Sequence, residues 1–138
     1  MLTCDNIYVI IKLQHRKRAS MYNIIFYKDK NNFCELELYL KYLQNQTDKE
    51  SRIKFNKIIA YIKILSQYGP KVGIPYVKHI RDNIWELRPK DDRILFANLK
   101  NSTIIMLTVF TKQTTKTPLA EISKAKKLLK DFQKRSDL

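Results

Sequence analysis

The sequence is poor in the residues on which many small enzymes build a site. Two glycines in 138 residues leave no Gly-rich phosphate loop and no nucleophile elbow. Two cysteines, Cys4 and Cys34, and two histidines, His15 and His79, are too scattered for a zinc motif. Carboxylates are not clustered either, so no metal and no cofactor is expected. Idle thiols at Cys4 and Cys34 suit a reducing compartment. No run approaches the roughly 20 apolar residues of a membrane span. "NIYVIIKL" is short, and its basic cluster follows it, the wrong order for a secretory signal. A cytoplasmic protein without membrane attachment is expected. Four prolines beside two glycines imply dense secondary structure.

What is abundant is positive charge. Lys and Arg number 27 against 13 Asp and Glu, a net charge of +14. Such a balance points to a polyanionic partner: RNA, DNA, an anionic membrane or an acidic protein. The excess is uneven. Residues 71–138 hold 15 basic and 7 acidic residues, a surplus of 8, whereas 21–70 hold 8 and 5, a surplus of 3. The C-terminal half is the better candidate surface. An apolar fraction of 44% is that of a globular chain of one domain.

Residues 1–20 differ from the rest: a short apolar run, then His15, Arg16, Lys17 and Arg18 ahead of a second methionine, Met21. They read as an N-terminal extension, with Met21 as the functional start and 21–138 as the domain. The alternative is an edge strand or basic arm from 7–13.

"YNIIFYK" reads as a strand. Phe33, Leu36, Leu40 and Leu43 form a helical stripe. Thr47 and Glu50 match a capping box for a second helix, whose face is Phe55, Ile58, Ile62 and Leu65 and which Gly69 and Pro70 stop. "YVKHI", "IWELR", "RILFANL" and "TIIMLTVF" are strand-like. Thr117 with Pro118 offers the cap of a last helix, whose face is Ile122, Ala125, Leu129 and Phe132. The expected order is β-α-α-β-β-β-α. The expected fold is an α+β domain: a small, largely antiparallel sheet with two N-terminal helices and one C-terminal helix.

Strand alternation sets Trp85 and Leu87 on one face and Ile84, Glu86 and Arg88 on the other. Arg93 opens its strand on the side of Leu95, and Lys112 follows Phe110 at the end of the next. If Arg88, Arg93 and Lys112 meet, they form a polycationic site suited to a scissile phosphate. His79 and Glu86 are the nearby groups suited to general base work. Each has a blander reading: arginines at hairpin ends as solvated charges, Glu86 as an ion-pair partner, His79 as a structural histidine, Trp85 as core, and the lysine-rich last helix as a solvated face. With no metal motif, a basic enzyme of this kind fits metal-free RNA cleavage, in which the RNA supplies its own 2′-OH nucleophile.

The segment "GIPYVKHIRDNIWELRPKDDRILF" followed by "VFTKQTTKTPLAEISKA" resembles the phage-derived, HigB-like branch of the RelE/ParE toxin superfamily. The resemblance covers about Met21 to Phe132 and is most specific in "WELR" and "KTPLAEI". It implies a RelE-like α+β toxin of a type II toxin–antitoxin pair that cuts mRNA at the ribosomal A site. It places Arg93 at the scissile phosphate and Lys112 nearby. Arg88, Lys78 and Arg81 become supporting phosphate contacts, with Lys71 and Lys116 as further RNA-binding candidates. The implied partners are a HigA-like helix-turn-helix antitoxin, through which alone operator DNA is met, and the ribosome with its mRNA. Two departures stand out. Asn83 replaces a usual Gly, which a left-handed turn tolerates in Asn. Gln113 replaces a frequent second lysine. The alternatives are a ParE-like gyrase inhibitor and a non-catalytic basic nucleic-acid-binding domain.

Overall fold

The computed structural model describes residues 21–136. The expected extension, 1–20, lies outside the described residues, and Cys4 and His15 with it. The elements run β1 (Asn23–Phe26), α1 (Glu35–Asn45), α2 (Lys49–Tyr68), a 3-10 turn (Pro70–Val72), β2 (Val77–Arg81), β3 (Ile84–Leu87), β4 (Asp92–Leu99), β5 (Thr103–Thr111) and α3 (Leu119–Ser136). The α+β expectation holds, with one strand more than the expected order. "YVKHI" and "IWELR" form separate strands, because the chain reverses between them at Asp82 and Asn83.

The five strands lie in the order β1-β5-β4-β3-β2. Four form an antiparallel meander, while β1 pairs in parallel with β5, so the sheet is mixed. The helix pair α1–α2 covers one face. Leu36, Leu40, Leu43, Ile58, Ile62 and Leu65 pack there on Ile24, Leu87, Ile94, Phe96 and Ile104. Helix α3 covers the other, with Ala125, Leu129 and Phe132 on Ile84, Leu95, Ala97, Ile105 and Leu107. Neighbouring residues of β4 thus enter opposite cores, as the pleat requires. Both faces are covered, which is why β4 reads as a nearly continuous apolar run. Trp85 and Leu87 pack toward α1–α2, with Trp85 stacked on Phe96, so Trp85 serves the core.

Several local expectations are corrected. Phe33 precedes α1 and is half exposed, so the stripe begins at Leu36. The cap of α2 is Asp48, whose carboxylate accepts from the Ser51 N–H at 2.9 Å; Thr47 lies one residue outside. Gly69 does close α2, at φ 72° with its N–H on the Leu65 carbonyl. A Cβ there would run into the Tyr22 ring, so both conformation and space demand glycine. In the β2–β3 turn the left-handed residue is Asp82, at φ 49°, not Asn83. Asn83 instead uses its amide, donating to the Asn98 carbonyl and accepting from the Asn98 N–H.

Candidate active site at one end of the sheet

The antiparallel meander brings the start of β2, the end of β3, the start of β4 and the end of β5 to one end of the sheet. The register answers which charged residues meet there. Lys78 stands opposite Glu86, Arg93 opposite Phe110, and the Lys112 N–H donates to the Asp91 carbonyl at 2.8 Å. Arg88 follows β3, its N–H on the Tyr76 carbonyl.

Glu86 is the centre of this cluster, and it is 3% exposed. Its Oε1 faces Arg88 Nε at 3.4 Å and Arg93 Nε at 3.8 Å. Its Oε2 accepts from the Thr117 hydroxyl at 2.5 Å. With both oxygens engaged and almost no exposure, Glu86 binds the two arginines together and is not placed to take a proton from a bound substrate. Thr117 does not cap α3 with its side chain, as "KTP" suggested. The Pro118 carbonyl accepts from Glu121 and Ile122, and the Thr117 hydroxyl turns back to β3. The two most distinctive motifs, "WELR" and "KTP", are therefore joined by one hydrogen bond. That bond also sets the N-terminus of the 18-residue α3 at this end of the sheet, where its dipole adds positive potential.

Arg93 is 7% exposed. Its Nη1 donates to the Lys90 and Asp92 carbonyls, both at 2.8 Å, so the guanidinium folds back over the turn that precedes its strand. Nη2 has no hydrogen-bond partner among the described residues. Burial and the like charge of Arg88 draw the Arg93 pKa below its ordinary value, and Glu86, Asp91 and Asp92 oppose them. The group stays cationic, because arginine starts so high. Arg88 is more open, its side chain 25% exposed, and its Nε is buried without a hydrogen bond. Lys112, Lys78 and Lys116 are exposed. Lys116 immediately precedes Thr117, which brings it to the same end.

Other candidates are not brought together with these. His79 pairs with Trp85, on the opposite face of the sheet from Glu86. It lies roughly 10 Å along the strand from Arg88, at about 3.3 Å per residue. Its Nε2 donates to the Asp82 carbonyl at 2.7 Å, and its ring meets Trp85 edge-on at 4.6 Å, so it supports the β2–β3 turn. Arg81 stands opposite Ile84, at the far end of β3 beyond a bulge. Lys71 is exposed on the 3-10 turn before β2.

Four residues take roles that the sequence does not announce. Asp92, in the turn "PKDD", is fully buried and accepts from the hydroxyls of Tyr39 and Thr111. Thr117 carried a signal, its place in "KTP", but was assigned the wrong task. Two lysines of α3 are tied down, Lys124 to Glu35 at 2.6 Å and Lys126 to Asp82 at 2.7 Å, so this face is not simply solvated. The Lys126 ammonium holds the Asp82 carboxyl below its usual range. A groove of about 700 Å³ lies at the opposite end of the sheet, between Leu99, Lys100 and the end of α3 at Phe132 and Ser136. Among the described residues no group of three His, Cys, Asp or Glu side chains converges as metal ligands would. No described helix is long and apolar enough to cross a membrane.

A helix pair and a single helix on opposite faces of a mixed five-stranded sheet, with arginines gathered at one sheet end, define a small α+β domain with a cationic edge. A protein-family comparison matches residues 41–130 to the family described as phage derived protein Gp49-like (DUF891). The chain belongs to that family, a RelE-like toxin family, and the match takes in the whole meander and most of α3. No curated protein matches the chain.

Proposed function

We propose that this protein is the toxin of a type II toxin–antitoxin pair, HigB-like, and that it cleaves mRNA on the ribosome. The observation that carries the reading is the strand-end cluster: Arg88 and Arg93 held side by side on buried Glu86, with Lys78, Lys112 and Lys116 exposed around them. In RNA cleavage without a protein nucleophile, the 2′-oxygen attacks the adjacent phosphorus. The 2′-OH gives its proton to water, the P–O5′ bond breaks as the 2′,3′-cyclic phosphate forms, and the 5′-oxygen takes a proton from water as it leaves. The protein's task is to hold the strand and to stabilise the charge that grows on the phosphoryl oxygens. Arg88 and Lys112 face the phosphate, and the Nη2 edge of Arg93 backs them. Lys78 and Lys116 contact neighbouring phosphates, and Lys71 and Arg81 lie further along the chain's path. On this reading a helix-turn-helix antitoxin is the neutralising partner.

Two observations favour a non-catalytic nucleic-acid-binding module instead: Arg93 is closed over its own turn, and both oxygens of Glu86 are occupied. Expression of the protein alone separates the two. Translation arrest is expected, relieved by Arg88→Ala with Lys112→Ala, which lowers cleavage by about 100-fold or more. Lys112 is exposed, whereas Arg88 pairs with buried Glu86, so the double variant melts below the wild type; Arg93 still counters Glu86, and the folded state is checked by the melting curve. Arrest that persists in this folded variant contradicts the site. DNA damage with translation intact points to gyrase.

A further inference from the structure

Asp92 is the most deeply buried carboxylate of the site region, at 0% exposure. No cationic side chain pairs with it among the described residues. Its oxygens are held by neutral donors: the Tyr39 hydroxyl at 3.0 and 2.9 Å, shared between them, and the Thr111 hydroxyl at 2.8 Å. A buried charge without an ion partner is costly, and an apolar pair of the same shape would hold a turn at less expense. The position of Asp92 gives the charge a use. Its backbone N–H donates to the Pro89 carbonyl, and its own carbonyl accepts from Arg93 Nη1 at 2.8 Å. Thr111, on its side-chain oxygen, is followed directly by Lys112, whose N–H is fixed to Asp91. One carboxylate thus ties α1 through Tyr39, the start of β4 that carries Arg93, and the end of β5 that carries Lys112.

We propose that Asp92, gripped by Tyr39 and Thr111 from the α1 face, is a positioning residue that sets Arg93 and Lys112 against Arg88 for RNA cleavage on the opposite face. This rests on the cleavage function proposed above. Tyr39 and Thr111 are then part of the same device, and neither touches substrate. Burial and the Asp92 carboxylate raise the Tyr39 pKa, which keeps the donating proton in place. A shift of the sheet end by about 1 Å suffices to cost catalysis on the order of 100-fold without loss of binding.

The test compares Thr111→Val, Thr111→Ser and Tyr39→Phe in the full chain, each checked for the folded state by its melting curve. Kinetics of cleavage of ribosome-bound mRNA are read together with the NMR resonance of the Arg93 Nε–Hε group. Thr111→Val and Tyr39→Phe are expected to lower kcat by about 10- to 100-fold with KM within about threefold, and to shift the Arg93 resonance. Thr111→Ser restores both. Unchanged kcat and resonance in folded Thr111→Val overturn the proposal, as does a loss of activity that tracks only the folded fraction. Wild-type protein that cuts no RNA overturns the cleavage reading and the catalytic role of Asp92 with it. The resonance then still decides whether the carboxylate holds Arg93.

Discussion

At the scale of single residues, the site is governed by two buried carboxylates that do opposite jobs on opposite faces of the same sheet end. Glu86 gathers cations: removing it leaves Arg93, 7% exposed, without its counter-charge. Breaking such a buried pair from one side costs about 3–5 kcal/mol, so Glu86→Ala is expected to lower unfolding stability by that order in urea titrations. Thr117→Val removes one hydrogen bond to a charged group and is expected to cost about 1.5–3 kcal/mol. Little added loss from Thr117→Val in the Glu86→Ala background would show that the two act as one unit. Asp92 gathers hydroxyls, and this has a pH signature. The neutral Tyr39 phenol is favoured in the folded state, by burial first and by Asp92 second. As pH rises past the ordinary tyrosine value near 10, the unfolded chain releases its proton before the folded one does. Stability is therefore full below that value and falls above it. Tyr27, whose pKa is also raised by burial and Asp131, contributes in the same direction. Tyr39→Phe is expected to make the alkaline loss of stability shallower, measured as unfolding free energy against pH from 8 to 11. An unchanged slope would contradict a Tyr39 phenol held neutral by burial and by Asp92.

At the scale of elements, the helices follow from periodicity and their ends from particular side chains. Leu36, Leu40 and Leu43 on α1, and Ile58, Ile62 and Leu65 on α2, recur at helical spacing and are all buried. Those faces were legible in the sequence because burial alone selects them. The caps were less so. Thr47 and Asp48 are adjacent, both are good cap residues, and only the backbone path of the α1–α2 turn decides that Asp48 bonds Ser51. Asp48→Ala is expected to lower the melting free energy by about 1 kcal/mol, and Thr47→Ala to stay within about 0.5 kcal/mol. The reverse order would place the cap at Thr47 after all. Strand faces were legible too: alternation put Trp85 and Leu87 opposite Glu86 and Arg88, as found. Partners across strands were not. That Lys78 faces Glu86 while His79 faces Trp85 depends on register, and a shift of one residue would set Lys78 against Trp85 or, in the other direction, His79 against Glu86. The Thr117–Glu86 bond spans 31 positions, and local sequence carries no trace of it.

At the scale of the whole molecule, the charge of +14 takes on direction. Part of the lysine content of α3 is spent inside the protein, on Glu35 and Asp82. Around the sheet end, Arg88, Lys78, Lys112 and Lys116 remain open to a polyanion, and the N-terminus of α3 points the same way. Membership of the Gp49-like family fits a toxin. The most direct test is primer extension on a defined mRNA incubated with ribosomes and purified protein. Cuts are expected within the translated region, only when ribosomes are present, and absent with Arg88→Ala together with Lys112→Ala. No ribosome-dependent cuts by folded wild-type protein, or equal cutting by the double variant, would contradict the assignment of this sheet end as an mRNA-cleaving site.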